Sequence, residues 1–206
     1  MYTYIHTIRH ARTTFGEQQR YAGTLDVPLN RVGKREARTA SANLRGMKFD
    51  VVVTSTKVRA IDTARLLVGD SVPIVKSDLC NERNFGALEG LTAFEVKHLK
   101  PKILFIRVGS DVHSVNPPGG EPFEDLRERA KRFRQFIFRR YRGSSVLVVS
   151  HAVFLQQLHG LLRGKSCIES LADWVSGLDM TSFTFAGNRL LEERRVNLID
   201  ARRSDW

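Results

Sequence analysis

Two short apolar runs, FDVVVTS at 49–55 and SSVLVVS at 144–150, do most to restrict how this chain folds. Each is too short for a helix and lacks polar residues at alternate positions, the pattern of a strand covered on both faces. Such strands sit inside parallel sheets flanked by helices. The neighbouring segments supply those helices. Asn30 can cap one from about Arg31 to Leu44. Val58 to Val68 has helical period, and so does Ala152 to Leu162. The turn-forming PPGGEP (117–122) announces a long amphipathic helix from Phe123 to Tyr141. Tyr2 to Ile8 reads as a first strand, and Ile74 with Val75 as a short one. SFTFAG (182–187) and RLLEERRV (189–196) read as a terminal hairpin turned at Gly187-Asn188. Strands alternating with helices imply a three-layer α/β/α sandwich with a mainly parallel central sheet. The expected organisation is one domain over 1–206, with a short lid or insertion at about 93–122, where the pattern is least regular.

Composition narrows the class. Apolar residues make up 42% and charged residues 27%, as in soluble globular proteins and unlike disordered ones. No apolar run approaches the length of a bilayer span, and MYTYIHTIRHAR lacks the order of a signal peptide. Cys80 and Cys167 have neither metal-type spacing nor the density of a disulfide scaffold, so the cytoplasm is the expected location. The net charge of +11 favours an anionic partner: nucleic acid, a membrane surface or a phosphorylated small molecule. Much of it lies in RERAKRFRQFIFRRYR (127–142), where Phe133, Phe136 and Ile137 share a helical stripe. The arginines there read as a solvated cover, because no nucleic-acid-binding motif accompanies them.

In open α/β sheets, ligands bind beyond the carboxyl ends of the strands. Three strand ends here carry polar or basic residues. His10 follows the first strand, beside Arg9. An arginine fork matches phosphate oxygens and a neutral imidazole is a nucleophile, although a surface pair would look the same. Ser55 and Thr56 stand at a helix start, which favours anions, and Arg59 lies about a turn further on; a plain capped helix is the alternative. His151 opens the helix after 146–149, either as an anion donor or as polar filler. Glu82 lies in LCNERNFGALEG (79–90), next to apolar and glycine-rich sequence. A carboxyl so placed retains its proton to higher pH and can act as a general acid; a solvated loop glutamate is the other reading.

Taken together and in order, IRHARTT, TSTKVRAIDTA, NERNFGALEG and VSHAVFL resemble the motifs of the histidine phosphatase (phosphoglycerate mutase-like) superfamily. That family has an Arg-His-Gly opening, a Ser-x-x-x-Arg-Ala-x-x-Thr-Ala segment, Glu-x-x-Phe-Gly-x-x-Glu-Gly, and a late Ser-His-Gly. YAGTLDVPLNRVGKREA (21–37) and PPGGE are also similar to family segments, the latter to its smaller phosphatases, and the likeness runs from about residue 4 to 200. The resemblance implies a phosphohistidine on His10 and phosphoryl binding by Arg9, Arg59 and His151. Glu82 becomes the proton donor and then the base for water. Thr13, Gly23 and Ala152 become further phosphate- or substrate-contacting positions. It implies neither metal nor cofactor, and a bell-shaped pH profile. The expected activity is hydrolysis of a small phosphorylated metabolite, with no membrane or nucleic-acid partner and the oligomeric state, including a homodimer, open. A cofactor-dependent phosphoglycerate mutase is the alternative; the short 93–122 segment favours hydrolysis, whereas NERNFGALEG is also mutase-like. A non-catalytic binder of phosphorylated or nucleic-acid ligands ranks below both. Ala11 and Ala152 replace glycines of the pattern, Arg12 an acidic or amide residue, Gly16 an asparagine that touches phosphate, and Asp179 an asparagine. Arg12, Arg83 and Arg107 are expected to shape the substrate pocket.

Overall fold

The computed structural model describes residues 1–200, so the last six residues of the expected 1–206 domain lie outside the described residues. Along the chain run β1 (Tyr2–Arg9), α1 (Thr14–Glu17), α2 (Arg31–Asn43), β2 (Val51–Thr54), α3 (Val58–Val68), β3 (Ile74–Lys76) and α4 (Ala93–Val96). Then follow β4 (Phe105–Val108), β5 (Asp111–Ser114), α5 (Phe123–Arg140), β6 (Ser145–Ser150), α6 (Ala152–Arg163), α7 (Cys167–Ser170), β7 (Asp179–Ala186) and β8 (Arg189–Asn197). The main sheet has the order β3-β2-β6-β1-β7-β8. Its first four strands are parallel, and β7 and β8 complete it in antiparallel sense. This is the mainly parallel α/β arrangement read from the sequence. The last hairpin starts earlier than SFTFAG suggested, because Met180 and Thr181 already pair with Ile8 and Thr7.

The apolar runs are explained by the two layers they serve. Val51, Val53, Val146 and Val148 enter one core, which includes Phe133 and Ile137 of α5 and Phe154 and Leu155 of α6. Val52, Leu147 and Val149 enter the opposite core with Ala37 and Ala40 of α2 and Ala60 and Ala64 of α3. Successive residues of a strand point to opposite faces, so a strand with a core on each side has no position for a polar residue.

Register then places the chemistry. Arg9 lies opposite Ser150, and Thr54 opposite Val149. The residues just beyond these three adjacent ends are His10, Ser55 and His151, which therefore emerge on one edge. The 93–122 segment is more ordered than its sequence suggests: it holds α4 and the β4–β5 hairpin, a separate two-stranded sheet. No helix among the described residues is long and apolar enough to cross a membrane.

Candidate active site

His10 is fixed at both backbone and ring. Its N–H donates to the Ser150 carbonyl at 2.9 Å, and its Nδ1 lies 2.8 Å from the Ala11 carbonyl. A carbonyl only accepts, so Nδ1 carries the proton and the neutral ring keeps its lone pair on Nε2. Burial, then the Arg59 and Arg9 guanidiniums, hold the His10 pKa well below its ordinary value. The ring is thus neutral near pH 7. The Ala11 N–H donates to Thr63 Oγ1 at 3.0 Å, and that hydroxyl donates to the Arg59 carbonyl at 2.7 Å. Neither Ala11 nor Ala152 has a positive φ, so alanine is unstrained in both places.

Arg59, 1% exposed, reaches back from the start of α3. Its Nη1 donates to the Leu25 carbonyl at 2.7 Å, and its Nη2 to those of Ala22 and Gly23 at 2.8 and 2.9 Å. Its Nε donates to His151 Nδ1 at 3.2 Å. With Nδ1 accepting, His151 uses its Nε2–H to donate to Ser55 Oγ at 2.7 Å. The His151 ring meets His10 edge to face at 5.1 Å. Burial first, then Arg59, lowers its pKa well below the ordinary value. Both nitrogens of His151 are therefore engaged by protein groups, and the ring stands behind the cavity rather than in its wall.

The loop that holds Arg59 is itself held by Glu89, which the sequence reading did not single out. The Glu89 carboxylate accepts from the backbone N–H groups of Gly23, Thr24, Leu25 and Phe85 at 3.0, 2.9, 3.4 and 3.0 Å. Gly23 is required by close approach: a Cβ there would fall 2.0 Å from the Arg83 carbonyl oxygen. Gly23 thus supports Arg59 and does not line the cavity. Asp26 caps α3 by accepting from the Val58 N–H at 2.7 Å.

Glu82 is 9% exposed, but its surroundings are not apolar. The carboxyl accepts three backbone N–H groups, from Arg83 at 2.9 Å, Val153 at 3.2 Å and Phe154 at 3.1 Å, the last two at the start of α6. Arg129 of α5 braces this segment by donating to the carbonyls of Leu79, Asn81 and Glu82, and it pairs with Glu121 at 2.7 Å. Arg127 donates to the Gln157 carbonyl at 2.9 Å. These two arginines correct the reading of the basic helix as a purely solvated cover. Arg9 donates from Nη1 to the Val175 carbonyl at 2.9 Å and lies over the Trp174 ring at 5.0 Å.

A cavity of about 280 Å³ collects these groups. Arg9, His10, Thr13, Arg59, Glu82 and Ala152 line it, with Gly16 and Arg83; Gly23 and His151 lie outside its wall. Thr13 Oγ1 accepts from the Gly16 N–H at 3.0 Å, capping α1. Arg12 turns away to pair with Glu36 at 3.1 Å, and Arg107 is exposed, so neither shapes the cavity. Asp179 organises the neighbouring segment: it accepts from the Ser176 N–H at 3.1 Å and from Asn197 at 2.7 Å. Among the described residues, no three His, Cys, Asp or Glu side chains gather as metal ligands. The arrangement offers two guanidiniums for phosphoryl oxygens, an unprotonated imidazole nitrogen and a carboxyl in one cavity.

Comparison with known proteins gives the family and the fold. The family model that matches, over residues 5–190, describes the histidine phosphatase superfamily (branch 1). The bifunctional protein Rv2228c of Mycobacterium tuberculosis is 42% identical over 156 residues, covering 73% of this chain but only 42% of its own length. Phosphoserine phosphatase 1 of Hydrogenobacter thermophilus is 29% identical, covering 91% of this chain and 86% of that protein. A 2,3-bisphosphoglycerate-dependent phosphoglycerate mutase of Cytophaga hutchinsonii is 32% identical, covering 73% of each. The alpha-ribazole phosphatase structure from Shigella flexneri shares the fold, with a TM-score of 0.80 at 23% identity over 96% of both chains. The chain belongs to the histidine phosphatase superfamily, branch 1.

Proposed function

We propose that this chain is a metal-independent phosphomonoesterase that acts on a small phosphorylated metabolite through a phosphohistidine on His10. The observation that carries this reading is the His10 ring, with its free Nε2 lone pair and a pKa held down by burial, Arg59 and Arg9. In the first step Nε2 attacks phosphorus and the bond to the leaving oxygen breaks. Glu82 serves as the acid that gives a proton to that oxygen. In the second step the Glu82 carboxylate takes a proton from water, the hydroxide oxygen bonds to phosphorus, and the N–P bond breaks to release phosphate. Arg9 and Arg59 neutralise the equatorial oxygens in both steps. Four of the five Arg59 N–H groups are used by protein acceptors, which leaves one on Nη1 for a phosphoryl oxygen. His151 keeps the His10 and Arg59 side chains in register. The cavity, at about 280 Å³, is near the small end of ligand pockets, about 300–1,000 Å³, and suits a metabolite rather than a polymer.

The likeness to a mutase supports a second reading, in which the same phosphoenzyme returns its phosphoryl group to a bound intermediate. One experiment separates them. Incubation with an aryl phosphate should release inorganic phosphate, and acid-labile phosphate should be trapped on the wild type but not on His10→Ala. Incubation with 3-phosphoglycerate and bisphosphoglycerate that gives isomerisation without net phosphate release would end the phosphatase reading. Turnover retained in His10→Ala would end the phosphohistidine mechanism. The unpaired thiols of Cys80 and Cys167 support placing the enzyme in the reducing cytoplasm.

A further inference from the structure

The cavity is also lined by polar groups that the phosphoryl chemistry does not use. Arg83 is 1% exposed and lies over the Phe123 ring at 3.8 Å. Its Nε and Nη1 donate to the carbonyls of Glu121 and Ser114 at 2.8 and 2.7 Å. Its Nη2 is buried without a hydrogen-bond partner among the described residues. Asp111 Oδ2 is in the same condition. Both residues line the cavity, together with His113. Asp111 and His113 are two apart on β5 and so share one face of that strand. The His113 Nε2 lies 3.1 Å from the Leu171 carbonyl, so Nε2 carries the proton and the neutral ring has an acceptor at Nδ1. Burial lowers the His113 pKa, which favours that neutral form. A buried polar group left unpaired costs more free energy than a made hydrogen bond gains, so such atoms beside a cavity mark a place for a ligand.

We infer that Arg83, Asp111 and His113 form a subsite for the leaving group, and that it selects a phosphomonoester of a small polyhydroxy alcohol. The inference rests on the phosphatase reading above and adds the substrate class. The unpaired groups of these cavity-lining residues are one donor, on Arg83, and two acceptors, on Asp111 and His113. Neighbouring hydroxyl groups each donate and accept, so a polyol satisfies all three in any order. A zwitterionic amino-acid ester matches the signs of Arg83 and Asp111. It must, however, strip water from an ammonium and a carboxylate beside Phe85, Val112 and Trp174, which costs more than burying hydroxyls. A plain alkyl ester leaves the three groups unpaired. The β4–β5 hairpin thus acts as a specificity element, separate from the strand ends that hold the phosphoryl group.

The test compares kcat/KM for glycerol 1-phosphate, propyl phosphate and O-phosphoserine, by phosphate release, in the wild type, Asp111→Leu and His113→Phe. The wild type should prefer glycerol 1-phosphate over propyl phosphate by about 100-fold, because a site built to pair hydroxyls rejects the analogue lacking them. Asp111→Leu should reduce that ratio by about tenfold, the scale of one hydrogen bond to a charged partner. His113→Phe should lower it in the same direction, and it covers the case in which Asp111→Leu does not fold. Equal turnover of glycerol and propyl esters by the wild type would overturn the subsite and leave the phosphatase reading intact. A preference for O-phosphoserine over glycerol 1-phosphate would overturn the polyol assignment. A ratio unmoved in both variants would overturn the assigned residues. Release of phosphate from none of the three esters, nor from an aryl phosphate, would overturn the phosphatase reading and this inference with it.

Discussion

Replacing Glu89 by glutamine tests whether a residue outside the cavity sets the position of Arg59. Oε1 of Glu89 accepts from Thr24 and Phe85 at 2.9 and 3.0 Å, and Oε2 from Gly23 and Leu25 at 3.0 and 3.4 Å. Whichever way the new amide turns, two backbone N–H groups lose an acceptor and the other two lose a charged one. A hydrogen bond to a charged group is worth about 1.5–3 kcal/mol. Thr24 and Leu25 are exposed, and water replaces part of what they lose, so the net cost is about 2 kcal/mol. That corresponds to a fall in melting temperature of about 4–8 °C for a chain of this size. The effect on catalysis should be larger. Three of the four acceptors of Arg59 are carbonyls of residues 22–25, and misplacing a positioning group by about 1 Å costs about 100-fold. In Glu89→Gln, kcat/KM for an aryl phosphate should fall by about that factor, and competitive inhibition by inorganic phosphate should weaken with it. The exposed Glu128, paired with Lys131, serves as control: Glu128→Gln should leave both nearly unchanged. If Glu89→Gln melts lower yet retains wild-type kcat/KM and phosphate inhibition, Glu89 stabilises the loop without positioning Arg59, and the argument fails.

Acid should destabilise the fold through its buried histidines. Above about pH 6.5 these rings are neutral both folded and unfolded; below it only the unfolded chain takes up protons, so stability falls as pH drops. Burial lowers the His6 pKa to about 4, so the loss from that ring alone grows from about pH 6.5 down to about pH 4. It reaches about 3 kcal/mol, measurable by urea unfolding against pH; a flat profile between pH 6.5 and 4.5 would contradict it. The His10 ring should titrate well below its ordinary value in a pH series of imidazole NMR shifts, and a midpoint near 6.5 would remove the basis for a neutral nucleophile. Phe133→Ala, at a fully buried contact with Phe154 of 5.4 Å between ring centroids, should lower stability by about 3–5 kcal/mol in chemical denaturation. Arg129→Met should reduce kcat/KM more than it reduces stability, because Arg129 braces the carbonyls of Leu79, Asn81 and Glu82; equal losses would make it purely structural.

Residues whose placement at the sheet edge was legible in the sequence share a physical reason. A strand buried on both faces announces itself without partners, and the residue after it must emerge at the sheet edge. His10, Ser55 and His151 were legible in this way; Arg9, Arg59 and Glu82 stood out as candidates beside them, and the resemblance supplied their roles. The supports were not legible, because their partners are remote in sequence. Glu89 and Arg129 look like any charged residue until Gly23 and Asn81 are known to lie beside them. Trp174 and Val175 carry no signal at all, yet they fix Arg9. The surroundings of Glu82 were misjudged for the same reason: the adjacent sequence is apolar, but the backbone N–H groups that reach it come from α6. The β4–β5 hairpin was missed because a small sheet covered on part of one face needs no strict alternation. Its residues DVHS run from half-buried Asp111 to exposed Val112 and buried His113 and Ser114.

The two guanidiniums proposed to bind the phosphoryl group hang from separate scaffolds, and this makes their coupling measurable. Arg59 is held by the loop that Glu89 fixes. Arg9 is held by Trp174 and Val175, next to Asp173, which pairs with Arg163 and, at 3.2 Å, with Arg195. Among the described residues, Glu89 and Asp173 share no hydrogen-bond or ion-pair partner. Their substitutions by glutamine and asparagine should therefore add in stability to within about 0.5 kcal/mol. In kcat/KM they should not add. In the proposed mechanism Arg9 and Arg59 grip one phosphoryl group and act as a unit, so once one is displaced the other has less transition-state charge to stabilise in correct alignment. The double variant should lose less activity than the product of the two single losses, while its melting temperature falls by the sum. Additive loss in both quantities would mean that the two arginines serve different parts of the substrate. The assignment of both to the transferring phosphoryl group would then be wrong.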